Sequence, residues 1–135
     1  RDCLLSRGLG DVYKRQSKEG LEKVGKAANI YQAPAAIVVC ANKTKAWKRP
    51  FDGKITTDID ASILTDHMML EATELGLGSV WICYFNPDIL KEELNLPENL
   101  EPVNILALGY SDELDASAER HKDMRIGMDE LVSYL

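Results

Sequence analysis

Three stretches of the sequence hold the residue types that could carry out chemistry. They are SVWICYF (79–85), which follows the glycines of GLG, the basic loop 42–56, and ERHKDMR (119–125), which ends at Arg125. No GxSxG, HExxH, GxGxxG or Walker-type lysine pattern accompanies them, so hydrolase and phosphate-loop chemistry is not indicated. Cys83 has no base near it in sequence, and a nucleophilic thiol is therefore not indicated.

The loop 42–56 has two interpretations. It holds five basic residues and two aromatic residues, together with a proline and a glycine. A lid that stacks on a substrate and attracts an anionic nicotinamide donor would be formed by Trp47, Lys48, Arg49 and Phe51. A charge run of this kind is also typical of a solvated surface with one aromatic side chain tucked in, which is the interpretation we favour.

Length and composition set limits on the class of protein. The 135 residues fit one domain, and the formal net charge of −6 disfavours nucleic-acid binding. The apolar run 35–41 is too short to cross a membrane. Cys3, Cys40 and Cys83 form no CxxC pair and only two histidines are present, so neither a disulfide framework nor a metal site is expected. This cysteine pattern suits the cytoplasm.

Residues 1–16 differ from the rest of the chain. They carry more basic than acidic side chains, whereas residues 17–135 are acidic, and no period of 2 or 3.6 organises them. The stretch resembles a translated sequencing-adapter segment; a natural flexible N-terminus is the alternative. We therefore predict a non-native or disordered leader over 1–16 and one partial domain over 17–135.

Strands and helices alternate along the remaining residues. Asn86 and Pro87 begin a short helix, and Thr57 with Asp60 forms a capping signature for a longer one. That longer helix is apolar on nearly all sides, which is typical of a helix buried in a core or a subunit interface. The predicted elements are helices over 18–29, 57–75 and 87–94 and strands over 35–41, 79–85 and 102–110, an α/β or α+β arrangement.

Three of these segments, in this order, resemble the FMN-dependent nitroreductase family. DHMMLEATELGLGSVWICYF resembles the family's central helix and the strand beneath the flavin, LNLPENLEPVNILALGYSDE its next helix end and strand, and ERHKDMR its C-terminal phosphate-binding segment. The resemblance covers about residues 18–135. It implies an α+β fold, a nitroreductase-like mixed sheet flanked by helices, and a chain truncated at its N-terminus.

The resemblance also implies site residues. The backbone amide at Cys83 would face flavin N5 with Tyr84 beside it, and Trp81 and Ile82 would pack against one face of the ring. An amide donor at N5 supports the charge that builds during hydride transfer. Arg125 would hold the FMN phosphate with its paired guanidinium donors. No side chain is expected to act as a catalytic acid, base or metal ligand.

The implied function is that of an NAD(P)H oxidoreductase with FMN as cofactor. It would reduce nitroaromatics, quinones or similar small-molecule acceptors by ping-pong hydride transfer, as a cytoplasmic homodimer without nucleic-acid or membrane partners. The family's N-terminal Arg/Ser phosphate motif does not appear. The chain is therefore expected to carry part of the flavin site and to hold FMN weakly by itself.

Other interpretations of these residues stay open. Residues 79–85 could be an ordinary core strand, and Arg120, His121, Lys122 and Arg125 a solvated basic cluster. A flavin-binding protein without nitroreductase turnover would share the pattern, as would a deiodinase-like or flavin-cleaving relative.

Overall fold

The computed structural model describes residues 9–15, 17–110, 117, 119, 122 and 125–133. Its elements alternate along the chain much as the sequence predicts. The strands are β1 (Leu9–Arg15), β2 (Ala35–Asn42), β3 (Gly78–Ile82) and β4 (Leu100–Gly109), and the helices are α1 (Lys18–Ala27), α2 (Thr57–Glu74), α3 (Pro87–Leu94) and α4 (Met128–Leu131). Among the described residues, no helix combines the length and apolar character that crossing a membrane requires.

The four strands form one sheet in the order β1-β2-β4-β3, with helices packed on it, which confirms the predicted α+β class. Every neighbouring pair runs antiparallel. The family resemblance implies a mixed sheet. The strands β2 and β3 do point the same way, but β4 lies between them, so no parallel pair forms in the described sheet.

Residues 9–15 form β1 at the edge of this sheet. They pair with β2, with a register shift between Leu9 and Val12. The sequence analysis placed 1–16 outside the domain because no strand period organises them. Ladder pairing uses backbone groups, so a segment without side-chain periodicity can still pair. That the leader is non-native stays a prediction.

One face of the sheet packs against α1 and α3. The core there joins apolar residues of both helices to alternate residues of three strands, which are Val24, Leu90, Leu94, Ala36, Val38, Ile82, Ile105 and Ala107. Asn86 begins α3 as predicted, because its Oδ1 accepts from the N–H groups of Asp88 (3.0 Å) and Ile89 (3.2 Å). The N–H of Asn86 also donates to the carbonyl of Ala27 (2.9 Å), which holds the two helices together.

The opposite face of the sheet packs against α2. Small side chains of α2 are buried there, at Ala61, Thr65 and Ala72. The hydroxyl Oγ1 of Thr65 lies 3.1 Å from Oδ1 of Asn104 on β4, so the helix and the strand are in direct contact. Small residues on the inner side let the helix approach the sheet closely.

The outer side of α2 carries large apolar residues. These residues are Ile59, Ile63 and Leu70, and each precedes one of the buried small residues by two positions. Two positions correspond to about half a turn of an α-helix, so the large residues lie on the opposite side. Their exposed fractions are 56%, 43% and 63%. The helix is thus apolar on both sides, as predicted, but the part of the chain that the structure describes covers one side and leaves these three residues exposed.

The predicted cap of α2 is displaced by one residue. The structure places Thr56 at the N-cap, with no side-chain capping hydrogen bond, and Thr57 in the first turn. Two consecutive threonines made either position plausible from sequence. Asp58 and Asp60 still lie in the first turn, where acidic side chains are stabilised by the positive end of the helix.

Glu101, at the start of β4, joins two lysines from different elements. Its carboxylate pairs with Lys43, which follows β2, and its Oε2 lies 3.3 Å from Nζ of Lys91 on α3. The hydrogen bond from Lys43 is the main reason that the pKa of Glu101 lies below its ordinary value of 4.5. A lowered pKa stabilises the folded state at neutral pH, and this contribution is lost as pH falls below 4.5 through the folded value.

We expect Glu101→Gln to remove this component of acid sensitivity. Between about pH 6 and about pH 3, the free energy of unfolding should fall further for the native chain than for the variant. The carboxylate side chain is 37% exposed, so the difference should stay within about 1 kcal/mol. Urea unfolding at both pH values measures it, with the exposed Glu98→Gln as control. Identical pH dependence in the native chain and the Glu101 variant would contradict the expectation.

Candidate functional site

The strand β3 ends before Cys83 and Tyr84, two of the four strand residues that the resemblance places at a flavin. Its last pair with β4 is Ile82 with Ile105, so the predicted strand 79–85 is three residues too long. Aromatic and β-branched residues continue to Phe85, but the chain leaves the sheet to bring Asn86 to the end of α1. The amides of Cys83 and Tyr84 therefore lie beyond the β3–β4 ladder.

Trp81 and Ile82 lie on opposite faces of the sheet. Ile82 is 7% exposed and belongs to the core under α1 and α3. Trp81 stands opposite Leu106, on the face that α2 covers. Successive side chains of a strand alternate between faces, so these two cannot pack side by side against one ring. Trp81 is half-buried and Ile82 is buried, so of these two side chains only that of Trp81 keeps surface that a ligand could contact.

Cys83 and Tyr84 are the exposed part of this strand end. The thiol of Cys83 is free and exposed, and the ring of Tyr84 is 95% exposed. Beside Tyr84 opens a cleft of about 690 Å³ between the end of α1 and the start of α3. Lys26 lines this cleft, and its charge is balanced by Glu93 at 2.7 Å. The strand end therefore offers an aromatic face and two amides to a planar ligand.

The structure does not bring Arg125 into hydrogen-bond contact with this strand end. Arg125 is exposed and precedes α4, and no hydrogen bond or ion pair joins it to another described residue. Lys122 pairs with Glu119, which reduces its value as a second phosphate cation. Arg120 and His121 lie outside the described residues. The guanidinium of Arg125 is the better candidate of the two described cations for an anion.

The basic loop 42–56 folds back on itself over residues 48–55. Lys48 and Ile55 form an isolated bridge, and Arg49 binds both carboxylate oxygens of Asp52, with Nε to Oδ1 at 2.7 Å. This pairing with Arg49 lowers the pKa of Asp52. Phe51 is 96% exposed and Trp47 is 60% exposed. The loop is solvated, as favoured, although both aromatic side chains are exposed rather than one being tucked in.

A second cleft, of about 410 Å³, lies at the other end of β3. Its rim includes Tyr31 and Gln32, whose φ angles are +54° and +56°. The N–H of Ala33 donates to the carbonyl of Ile30 (3.0 Å), so these residues form a type I′ turn. Such turns favour Asn and Gly, which are absent from the two central positions, so sequence reasoning missed it.

Sequence reasoning also missed a buried polar cluster beneath α2. Oγ1 of Thr65 lies 2.8 Å from the carbonyl of Ala61 and 3.1 Å from Oδ1 of Asn104. Among the described residues, two buried nitrogens have no acceptor, Nε1 of Trp81 and Nδ2 of Asn104. A threonine within a helix and an asparagine within an apolar strand were the available signals.

Comparison with known proteins places the chain among nitroreductase relatives. The model of the Nitroreductase family matches residues 6–110. A protein of Archaeoglobus fulgidus, provisionally named an NADH dehydrogenase/NAD(P)H nitroreductase, is 37% identical in an alignment of 109 residues that covers 74% of this chain and 60% of the relative. A relative from Methanothermobacter thermautotrophicus with the same provisional name is 28% identical over 103 residues, 70% of this chain and 51% of the relative. The chain thus spans half to three-fifths of these relatives.

Solved structures show the same fold. The crystal structure of a nitroreductase family protein from Clostridium difficile is 61% identical, with a TM-score of 0.88 over 92% of this chain and 72% of that one. A Clostridium difficile protein described as an FMN-dependent nitroreductase is 27% identical, with a TM-score of 0.63 over 86% of this chain and 73% of that one. The predicted nitroreductase-like fold is therefore confirmed.

Proposed function

Because the chain belongs to the nitroreductase family, we propose that it forms part of an FMN-dependent NAD(P)H oxidoreductase that reduces nitroaromatics, quinones or similar acceptors. The observation that carries the proposal is the free strand end at 83–84. There the chain leaves the β3–β4 ladder and exposes Tyr84, at the position where the resemblance puts the flavin.

The residues of this strand end fit the ring of FMN. Trp81 is half-buried and leaves part of its surface accessible, and Cys83 has an amide that the β3–β4 ladder does not use. Tyr84 adds an exposed aromatic ring. For the phosphate, Arg125 supplies a planar, permanently charged donor, the chemistry that phosphate oxygens require. The described residues thus fit the ring of FMN and can supply one contact to its phosphate.

Each residue would have a limited role. FMN, when bound, supplies electron transfer between a nicotinamide donor and an acceptor. The amide of Cys83 would stabilise negative charge next to it, and the apolar strand would keep water from one side of the ligand. Arg125 would neutralise phosphate charge. No side chain needs to move a proton, and the exposed thiol of Cys83 suits a cytoplasmic location.

We also propose that the protein is a homodimer. The exposed row of Ile59, Ile63 and Leu70 on α2 is the feature that supports it, because large apolar side chains in one row are typical of an interface. A second copy of the same helix would cover the row by the same residues in a two-fold arrangement.

The activity is tested by following oxidation of NADH or NADPH with added FMN and a nitroaromatic or quinone acceptor. We expect consumption of the donor that requires protein, FMN and acceptor together, with parallel double-reciprocal plots, as a ping-pong mechanism requires. Reactions lacking protein, and reactions lacking FMN, are the controls. A protein with bound FMN that is inert with both donors and several acceptors would instead be a flavin-binding protein without this turnover.

A further inference from the structure

The hydroxyl of Thr65 cannot donate to both of the acceptors that lie next to it. Its single hydroxyl proton faces two acceptors, the carbonyl of Ala61 at 2.8 Å and Oδ1 of Asn104 at 3.1 Å. A hydroxyl donates one hydrogen bond and accepts up to two. Within α2 the carbonyl of Ala61 also accepts from the backbone N–H of Thr65. A hydroxyl that donates to this carbonyl therefore leaves Oδ1 of Asn104 without a donor, in a site where both side chains are at most 1% exposed.

The shortage of donors at Thr65 lies beside an excess of donors. Nδ2 of Asn104 and Nε1 of Trp81 are buried and have no acceptor among the described residues. Trp81 pairs with Leu106, and Asn104 is two residues from Leu106 on the same face of β4. Side chains at such diagonal positions are within reach of an aromatic ring. A buried donor without an acceptor costs more than the hydrogen bond would contribute.

We propose that the amide of Asn104 bridges Thr65 and Trp81. With its amide turned by half a rotation about the terminal bond, Nδ2 donates to Oγ1 of Thr65, which donates in turn to the carbonyl of Ala61. The oxygen Oδ1 then accepts from Nε1 of Trp81. This one rotation gives every acceptor a donor and gives the indole its acceptor, so it resolves both imbalances.

Asn104 is by this inference a positioning residue for the strand end. It ties the indole of Trp81 to the inner side of α2, two residues before the amide of Cys83. The hydrogen bond stands on the geometry alone; its effect on ligand binding rests on the proposed function. The bond and the effect therefore need separate measurements.

The bond is tested by NMR of the native chain. The side-chain NH₂ protons of Asn104 should show stronger cross-relaxation to Thr65 than to the indole proton of Trp81. The reverse order of intensities would overturn the proposal, because Nδ2 would then face Trp81. Trp47, which is 60% exposed, serves as the internal reference, and Trp47→Phe assigns the two indole signals.

Variants test the same bond and its effect. In Asn104→Leu the indole proton of Trp81 should exchange with water at least about tenfold faster, while that of Trp47 is unchanged. Thr65→Val should also disturb the Trp81 signal, and Thr65→Ser, which keeps the hydroxyl, should restore it. An unchanged Trp81 signal in both Asn104→Leu and Thr65→Val would overturn the bond.

FMN titration of the same variants tests the positioning role. We expect Asn104→Leu and Thr65→Val to bind FMN about tenfold more weakly and Thr65→Ser to bind it like the native chain. Native affinity in Asn104→Leu would overturn the positioning role. If the native chain does not bind FMN, the proposed function fails, and the NMR result still decides the hydrogen bond.

Discussion

Replacing Leu90 by alanine should lower the free energy of unfolding by about 2–5 kcal/mol, the largest change that we expect from any single substitution in this chain. Leu90 is 0% exposed and lies where α3, α1 and the sheet meet. Alanine would remove its apolar contacts and leave a cavity in close-packed surroundings, and both effects destabilise the fold. Urea unfolding measures the loss.

Ile89 is the matched control for this substitution. It is the neighbouring residue on α3, and it is 36% exposed. Ile89→Ala should therefore cost well under half as much as Leu90→Ala. Equal losses for the two variants would contradict a core centred on the inner side of α3.

Replacing Ile63 by glutamate should weaken dimerisation by at least about tenfold to a hundredfold, because burying an apolar side chain of this size is worth about 1.5–3 kcal/mol. The native interface would in addition have to bury a carboxylate. Ile63 lies in the middle of the exposed row on α2. Sedimentation velocity over a concentration series gives the dissociation constant of the dimer.

Phe51→Glu provides the control for charge and lost apolar surface. Phe51 lies on the loop that precedes α2, outside the helix, and is 96% exposed. Phe51→Glu should therefore leave the dissociation constant of the dimer unchanged. A native chain that is monomeric at micromolar concentration with FMN bound, or an Ile63 variant that dimerises like the native chain, would contradict the homodimer proposal.

Local patterns predicted much of the fold. The cap at Asn86 and the run of apolar residues in β2 lie where the sequence indicated, because a side-chain cap and a buried strand depend on neighbouring residues. Local sequence patterns could not predict where β3 ends. The hydrogen bond from Asn86 to Ala27 draws the chain out of the sheet at Cys83, and that contact joins residues far apart in sequence.

The candidate site was harder to predict than the fold. The family resemblance named Trp81 and Ile82 together, but strand alternation with the register against Leu106 and Ile105 separates them. An asparagine within an apolar strand was a signal at Asn104, but the bridge itself could not be predicted, because it depends on which residue of α2 lies over β4. The strand β1 pairs with β2 through backbone groups, and no side-chain period in the sequence indicated this pairing.

The central claim is that this strand end and Arg125 bind FMN, and a titration of FMN and riboflavin into the 135-residue chain tests it most directly. Protein-dependent quenching of flavin fluorescence gives both affinities, and riboflavin lacks the phosphate. We expect saturable binding of FMN in the range of about micromolar to hundreds of micromolar, tighter than that of riboflavin.

Arg125→Ala should weaken FMN binding by about 10- to 150-fold and riboflavin binding little, since a hydrogen bond to a charged group is worth about 1.5–3 kcal/mol. Lys122→Ala, which removes a cation already paired with Glu119, should change neither. No saturable binding of either flavin up to about millimolar concentration, or equal affinities for both in the native chain and the Arg125 variant, would contradict the account.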